Sequence, residues 1–309
     1  MSNLNGVISI VPTPLDKNEE IDKRGTERLA QFLCEQHFPL FCLGSAGEGM
    51  NLSLTSRLNF ANHFCSEVNG QVPILMGAGG FGVKDCMEFI KQLDSHLIAG
   101  VHVIPFDSKL SDTGLEKFYR SISDHSPIPI WLYQNTTRHR GIPFDLVAEL
   151  SQHPNIAGMK LAGFDLRLNQ RFASLDSESF QVFGSADVQM FSFFCLGLRA
   201  SSSSASACFP ELFKLLYESF QSNDLHLARS VNEAVMEFIG RLPKGAYHRN
   251  GESSAEVKFI LSELGICSEH VASPFSVQTE SEKFQAREAL ATYEKVLQVI
   301  KTNIRGGVE

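Results

Sequence analysis

The sequence lacks closely spaced pairs of metal-binding or disulfide-forming residues. Its seven cysteines are dispersed and no two of them form a C-x-x-C motif. An odd, dispersed set of cysteines is typical of reduced, mostly buried thiols in a cytosolic protein. The ten histidines show no pairing at a spacing of two or four residues. We therefore expect no metal site.

Basic residues and long apolar segments are also scarce. Lys and Arg total 27 against 35 Asp and Glu, and this net charge of −8 argues against nucleic-acid and anionic-membrane partners. The most apolar stretch, residues 191–198, is too short to cross a bilayer, which takes about 20 apolar residues. Because the first residues include neither a basic region nor a long apolar segment, we expect no signal peptide and predict a cytoplasmic protein.

What the sequence does contain is a regular alternation of short apolar runs with segments of helical spacing. Leu115, Phe118 and Ile122 show that helical spacing. Strands that alternate with helices predict parallel βαβ units, and eight such units predict a closed (β/α)8 barrel of the TIM type. The runs predicted as strands are 7–11, 40–43, 72–76, 101–104, 128–133, 156–161, 180–183 and 198–204.

The chain is long enough for two average domains, but α/β barrels commonly use 309 residues as one. We predict the barrel over residues 1–222. Residues 223–309 keep helical spacing without a convincing strand, and we predict that they form a C-terminal helical extension packed on the barrel.

One lysine, Lys160, lies in a run that otherwise has the composition of a buried strand. Burial there should lower the pKa of its amine, and a neutral amine is the nucleophile that forms a Schiff base. Strict alternation places Ile156 and Gly158 on the face of Lys160 and Ala157 on the opposite face, so that Gly158 would leave open space beside the amine. The alternative is a lysine at a strand end whose amine reaches solvent.

Two further features fall at the carboxyl end of the predicted barrel, where active sites of this fold lie. Tyr133 ends the fifth strand, and its phenol can relay protons to and from a carbinolamine. The glycine-flanked pair Ser45 and Ala46 follows the second strand and can offer backbone N–H groups and a hydroxyl to a carboxylate. Each feature alone could be a core aromatic or a plain loop, but their meeting with Lys160 on one rim predicts an active site.

These residues resemble the dihydrodipicolinate synthase/N-acetylneuraminate lyase family of Schiff-base aldolases, over roughly residues 6–300. The resemblance is carried by Gly-Ser-Ala-Gly-Glu at 44–48, by Leu-Tyr at 132–133 with a downstream Arg-Gly, and by Gly-Met-Lys at 158–160. The run Gly-Ser-Ala-Asp at 184–187 matches the family's turn after the seventh strand more loosely.

The resemblance implies a lyase that needs no cofactor beyond a covalent imine on Lys160. Lys160 would bond to the keto carbon of pyruvate or another 2-oxo acid, so that a C–C bond to an aldehyde can be cleaved or formed. Tyr133 would shuttle protons. Ser45 and the Ala46 amide would bind the carboxylate, and the Gly184 carbonyl would line the pocket. The family resemblance also leads us to expect a homo-oligomer, a dimer or a tetramer.

One departure from the family pattern concerns the proton relay. Asp107 lies where the family has a tyrosine that reaches the relay of the neighbouring subunit, and Ala46 replaces one of two usual hydroxyl residues. We therefore predict the cleavage of a 2-keto-3-deoxy sugar acid or a similar hydroxy-oxo acid. Dihydrodipicolinate synthase activity itself is the alternative. Glu48 is expected to brace its loop rather than to perform chemistry.

The second departure concerns recognition of the aldehyde portion. The loop after Tyr133 contains Arg138 and Arg140, and either could bind a distal carboxylate, or both could be solvated charge. Ser202 and Ser204 are placed to meet sugar hydroxyls, or are simply small residues at a strand end.

Two other classes compete with this interpretation. Residues 77–82 spell G-x-G-x-x-G between a predicted strand and a helix, which would suit an NAD-dependent oxidoreductase, although the motif follows the third strand rather than opening a βαβαβ unit. A barrel that binds a 2-oxo acid without turnover is the other class. The presence of both Lys160 and Tyr133 argues for chemistry instead.

Overall fold

The computed structural model describes residues 4–136 and 140–306, and eight parallel strands in it close into a barrel. Strands that are consecutive in the chain are neighbours in the barrel, and the last strand pairs with the first. The predicted (β/α)8 barrel is therefore confirmed. The strands are β1 (Gly6–Ile10), β2 (Leu40–Cys42), β3 (Ile74–Gly77), β4 (Gly100–His102), β5 (Ile130–Asn135), β6 (Ile156–Ala162), β7 (Gln181–Ser185) and β8 (Ala200–Ser203).

A helix follows each strand and covers the outside of the barrel. Several of these helices begin at a side chain that accepts a hydrogen bond from the first turn, as Ser53, Ser111 and Asp165 do. The covering helices are α1 (Lys23–Cys34), α2 (Leu54–Val68), α3 (Val83–Lys91), α4 (Asp112–Ser123), α5 (Phe144–Leu150), α6 (Leu166–Ala173), α7 (Met190–Cys195) and α8 (Pro210–Gln221).

The predicted C-terminal extension is also confirmed as helical and packed on the barrel. Phe209, just before α8, packs its ring edge-on against Phe238 and at a tilt against Tyr293 of the extension, at centroid distances of 4.9 and 5.1 Å. One continuous core includes residues of both parts, so a domain boundary at 222/223 stays a prediction. The helices of the extension are α9 (Leu225–Arg241), α10 (Gly245–Asn250), α11 (Ser254–Glu263), α12 (Glu280–Leu290) and α13 (Tyr293–Gly306).

A register shift in β6 corrects the predicted alternation around the lysine. Ile130 of β5 pairs with Ile156, but the next residue of β5, Trp131, pairs with Gly158, so that Ala157 is an extra residue on β6. Ala157 consequently packs inside the barrel, whereas Ile156 packs in the outer core. The prediction that Ile156 shares the inner face was therefore wrong.

The predicted open space at Gly158 was wrong as well. A Cβ atom at this position would overlap the Trp131 ring and the Gln181 carbonyl oxygen. The indole thus fills the volume that the glycine leaves, and it forms the packed floor of the barrel beneath Lys160 together with Phe183, whose ring centroid lies 5.4 Å away.

Candidate active site

A cavity of about 770 Å³ opens at the carboxyl ends of the strands. Its lining includes residues of β2, β5, β6 and β8, the loops that follow β2 and β7, and part of the C-terminal extension between residues 239 and 253. Of the predicted site residues, the cavity brings together Lys160, Tyr133, Ser45, Ala46 and Ser202. Active sites of this fold lie at this end of the barrel.

Lys160 projects into the cavity from β6, and only 8% of its surface is exposed. The β5–β6 register places Tyr133 directly beside it. Its Nζ lies 4.8 Å from the centroid of the Phe41 ring and 5.6 Å from that of the Tyr133 ring. The amine thus lies against two aromatic rings rather than extending into solvent.

The Tyr133 phenol contacts two residues that the sequence did not single out. The Asn135 side-chain amide donates a hydrogen bond to the phenol oxygen at 2.6 Å. The ring of His102, buried on β4, lies edge-on to the Tyr133 and Phe41 rings, each at a centroid distance of 4.9 Å. Asn135 could have been found from alternation, because it lies two residues after Tyr133 on the same face of the strand.

The Ser45–Ala46 loop is a tight turn fixed by its own backbone. The Glu48 and Gly49 N–H groups donate to the Ser45 and Gly44 carbonyls at 2.9 and 3.0 Å. Glu48 adopts a left-handed conformation, with φ of 63°, and a Cβ atom at Gly49 would overlap the Leu43 carbonyl. The backbone conformation of this turn therefore accounts for the glycine that follows Glu48.

The Glu48 side chain connects this loop to the C-terminal extension. Its carboxylate lies 2.5 Å from the Lys258 ammonium of α11 and accepts a hydrogen bond from the Ala272 N–H at 2.5 Å. Lys258 also donates to the His270 carbonyl at 2.7 Å, and both charged side chains are fully buried. Burial raises the pKa of Glu48 and lowers that of Lys258, in each case against the pull of the partner's charge. This arrangement matches a bracing role for Glu48.

Three residues of the cavity lining carry a buried side-chain oxygen that has no hydrogen-bond partner within the described residues. These atoms are Asp187 Oδ1, Gln189 Oε1 and Ser202 Oγ. Burial raises the pKa of Asp187, against hydrogen bonding from Ser203 and the charge of Lys244. Asp187 and Lys244 were not predicted as site residues, since only folding brings the extension next to the loop after β7.

Two predicted site residues are not part of the cavity lining, and a third is not among the described residues. Gly184 faces the Phe193 ring of α7 and is not among the cavity-lining residues, so the predicted role of its carbonyl stays a prediction. Arg140 forms an ion pair with Asp112 at the start of α4 and is likewise not part of the cavity lining. Arg138 lies outside the described residues, between 136 and 140.

The glycine-rich turn at residues 77–82 is explained by its packing within the barrel. The Arg57 guanidinium donates to the Gly79 carbonyl at 2.6 Å and lies 4.0 Å from the centroid of the Phe81 ring. A Cβ atom at Gly77 would overlap the Leu43 carbonyl. A dinucleotide fold would need an open, doubly wound sheet, whereas this sheet is closed. The oxidoreductase alternative therefore loses its structural basis.

The described part of the chain contains no group of three or more side chains that could ligate a metal ion. Among the helices of that same part, none is long and apolar enough to span a membrane.

Comparison with known proteins identifies relatives over most of the chain. A family model described as the dihydrodipicolinate synthetase family matches residues 3–293. The 4-hydroxy-tetrahydrodipicolinate synthase of Shewanella frigidimarina is 26% identical over 274 residues, which cover 84% of this chain and 93% of that protein. The enzyme of the same name from Ligilactobacillus salivarius is 25% identical over 268 residues, 84% of this chain and 88% of that protein.

Solved structures share the fold at lower identity. The dihydrodipicolinate synthase of Bacteroides thetaiotaomicron aligns with a TM-score of 0.87 at 24% identity, over 94% of this chain and all of that one. Wild-type sialic acid aldolase of Ruminococcus gnavus aligns with a TM-score of 0.85 at 20% identity, over 96% of this chain and 99% of that one. This similarity concerns the architecture of the barrel and its helical extension.

Proposed function

The chain belongs to the dihydrodipicolinate synthetase family, and we propose that it is a Schiff-base-forming lyase that acts on pyruvate or a related 2-oxo acid. It cleaves or forms a C–C bond between that acid and an aldehyde. The observation that carries the proposal is the buried Lys160 amine beside Tyr133, at the bottom of a cavity whose wall includes the Ser45–Ala46 loop.

The chemistry follows from these positions. Ser45 Oγ and the Ala46 N–H bind the substrate carboxylate, and the Lys160 amine attacks the adjacent keto carbon to give a carbinolamine. Loss of water then leaves a protonated imine. Tyr133 donates the proton with which that water leaves, and it becomes a phenolate.

In cleavage, the imine accepts the electron pair of the C3–C4 bond while the C4 hydroxyl gives its proton to the Tyr133 phenolate, and an aldehyde departs. The Tyr133 phenol then protonates the enamine at C3. Water finally releases pyruvate from Lys160, and the proton set free returns to Tyr133.

The polar residues Asp187, Gln189 and Ser202 of the cavity lining favour a hydroxylated substrate tail. These three residues each carry a buried oxygen without a hydrogen-bond partner in the described chain: Asp187 Oδ1, Gln189 Oε1 and Ser202 Oγ. Each of these oxygens would gain a hydrogen bond if a donor of the substrate reached it. Sugar hydroxyls are such donors. A second carboxylate would meet Lys244, but Asp187 lies within range of that charge and offsets it. We therefore propose a 2-keto-3-deoxy sugar acid or a similar hydroxy-oxo acid as the substrate.

Dihydrodipicolinate synthesis is the second candidate, because the relatives named above carry the name of that activity. It would use aspartate semialdehyde, which carries a distal carboxylate. Arg140 is engaged by Asp112, and the Asp107 carboxylate accepts a hydrogen bond from the Lys109 N–H on the exposed loop after β4. Neither residue lines the cavity of its own chain. An aspartate also replaces the phenol that the family carries into the neighbouring subunit's relay.

A substrate panel separates the two candidates. We expect cleavage of the best 2-keto-3-deoxy sugar acid to exceed condensation of pyruvate with aspartate semialdehyde by at least about 100-fold in kcat/KM, since the cavity offers acceptors for hydroxyl groups. Steady-state kinetics on both reactions measures this. Condensation at about 10⁴ M⁻¹s⁻¹ or better, a typical enzymatic value, would favour the synthase instead. The absence of turnover with every pair would favour a barrel that binds 2-oxo acids without chemistry.

Two variants report on the substrate tail within the same experiment. Asp187→Ala should raise KM for the sugar acid at least tenfold, because a hydrogen bond to a charged acceptor contributes about 1.5–3 kcal/mol. Arg140→Ala should leave that KM within about twofold. A tenfold rise in Arg140→Ala with none in Asp187→Ala would indicate that the distal group is a carboxylate.

The remaining assignments belong to the same proposal. The enzyme would use no cofactor beyond the imine on Lys160, and it would work as a cytoplasmic homo-oligomer, a dimer or a tetramer. A solved monomeric variant of dihydrodipicolinate synthase shares the fold with a TM-score of 0.83, so the number of subunits needs its own measurement by light scattering.

A further inference from the structure

The side chain of Asn135 lies in the cavity wall and contacts the Tyr133 phenol directly. This residue lies two residues after Tyr133 on β5, so that both side chains lie on the inner face, and it is 7% exposed. The strand ladder fixes its backbone, because Asn135 is paired with Ala162 of β6. Its side-chain amide donates to the Tyr133 oxygen at 2.6 Å, which is short for an N–H···O bond.

The neighbouring amide shows that this arrangement is specific to the inner face. Gln134, one residue earlier on the opposite face, accepts a hydrogen bond from the Ile142 N–H at 2.6 Å and secures the return of the loop into α5. The two consecutive amide side chains therefore have different roles. Gln134 stabilises the loop, whereas Asn135 lies in the cavity wall with its N–H group directed at the phenol.

We infer that Asn135 is the positioning residue for the proton-transferring phenol of Tyr133, and this inference rests on the proposed function in which Tyr133 exchanges protons with the substrate. A hydrogen bond donated to the phenol oxygen stabilises the phenolate more than the phenol. It also fixes the direction in which the phenol O–H can be donated. The amide itself has no proton to exchange near neutral pH, so it orients Tyr133 without competing for the transferred proton.

The position of Asn135 is also relevant to Asp107, which replaces the tyrosine that the family resemblance leads us to expect. That residue lies on the exposed loop after β4, with its carboxylate bonded to the Lys109 N–H. The hydrogen bond to the phenol comes instead from the same strand of the same chain. Orientation of the phenol by Asn135 therefore requires no residue from a second subunit.

The test compares pH profiles of kcat for the wild type, Tyr133→Phe, Asn135→Ala, Asn135→Asp and a matched control. Tyr133→Phe should lower kcat roughly 10²–10⁴-fold. One limb of the wild-type pH profile, the rise or fall of kcat with pH that reports the ionisation of the Tyr133 phenol, should be missing in this variant. Asn135→Ala should move that limb to higher pH by about 0.5–1 unit and lower kcat about threefold to tenfold at neutral pH. Asn135→Asp should move it further, since a carboxylate repels the phenolate.

The control is Asn155→Ala, which removes an amide that donates to the Ser123 and Ser126 carbonyls just before β6, at the other end of the barrel. It should lower stability without moving the limb. In the Tyr133→Phe background, Asn135→Ala should change kcat by less than about twofold, because the partner oxygen is gone. If Asn135→Asp does not fold, Asn135→Ala and the double variant Tyr133→Phe/Asn135→Ala still test whether Asn135 acts through the phenol.

The outcomes separate this inference from the proposed function. Wild-type turnover in Tyr133→Phe would overturn the role of Tyr133 and the inference with it. A strong defect in Tyr133→Phe, combined with an unmoved limb in Asn135→Ala and full additivity in the double variant, would overturn the inference alone and reduce Asn135 to a packing residue.

Discussion

Lys160→Ala is expected to lower kcat by roughly 10⁴-fold or more, which is the scale of losses when an enzyme loses its nucleophile. The amine lies against the Phe41 and Tyr133 rings. The free energy of unfolding should therefore stay the same or rise, because burying an amine among apolar groups is unfavourable. Steady-state kinetics and urea unfolding measure the two effects.

Lys160→Arg is the matched control for the charge. A guanidinium can bind a carboxylate but does not form an imine, so this variant should be as inactive as Lys160→Ala. Activity within tenfold of the wild type in Lys160→Arg would show that the side chain acts by its charge, and the covalent mechanism would be wrong.

Lys258→Met is expected to destabilise the protein by about 3–5 kcal/mol, because it leaves the Glu48 carboxylate buried without its cation. The same change should raise KM for the 2-oxo acid, since Glu48 ends the turn that contains Ser45 and Ala46. Urea unfolding monitored by circular dichroism measures the free energy of unfolding, and initial rates measure KM.

Two variants control for this second prediction. Lys214→Met breaks an exposed ion pair with Glu218 and should cost no more than about 1 kcal/mol. Adding Glu48→Gln to Lys258→Met removes the unpaired charge, and the amide oxygen can still accept from the Ala272 N–H. Much of the lost stability should then return. A Lys258→Met protein as stable as Lys214→Met would show that the buried ion pair does not secure the loop.

Periodicity was enough to predict the barrel, because each strand and each helix buries a face whose repeat is visible locally. The eight predicted strands overlap β1 to β8, and the predicted residues Lys160 and Tyr133 are adjacent across β5 and β6. The extra residue at Ala157 was not predictable in this way, because a register shift depends on the packing of the Trp131 ring over Gly158.

The parts of the site that come from distant segments were not predictable either. Nothing near Glu48 in the sequence indicates that its partner is Lys258, and nothing near Asp187 indicates that Lys244 lies within range of its charge. Both contacts form only when the C-terminal extension packs on the barrel. Arg140 illustrates the opposite case. It lies close to Tyr133 in the sequence, but in the structure its side chain pairs with Asp112.

The most direct test of the central claim is covalent trapping. The protein is incubated with pyruvate and borohydride, digested and analysed by mass spectrometry, and the same is done with a panel of other 2-oxo acids. We predict a reduced pyruvyl group on Lys160, and no modification in Lys160→Ala. A label on another lysine, or no label with any 2-oxo acid, would contradict the proposal that Lys160 is the imine-forming residue.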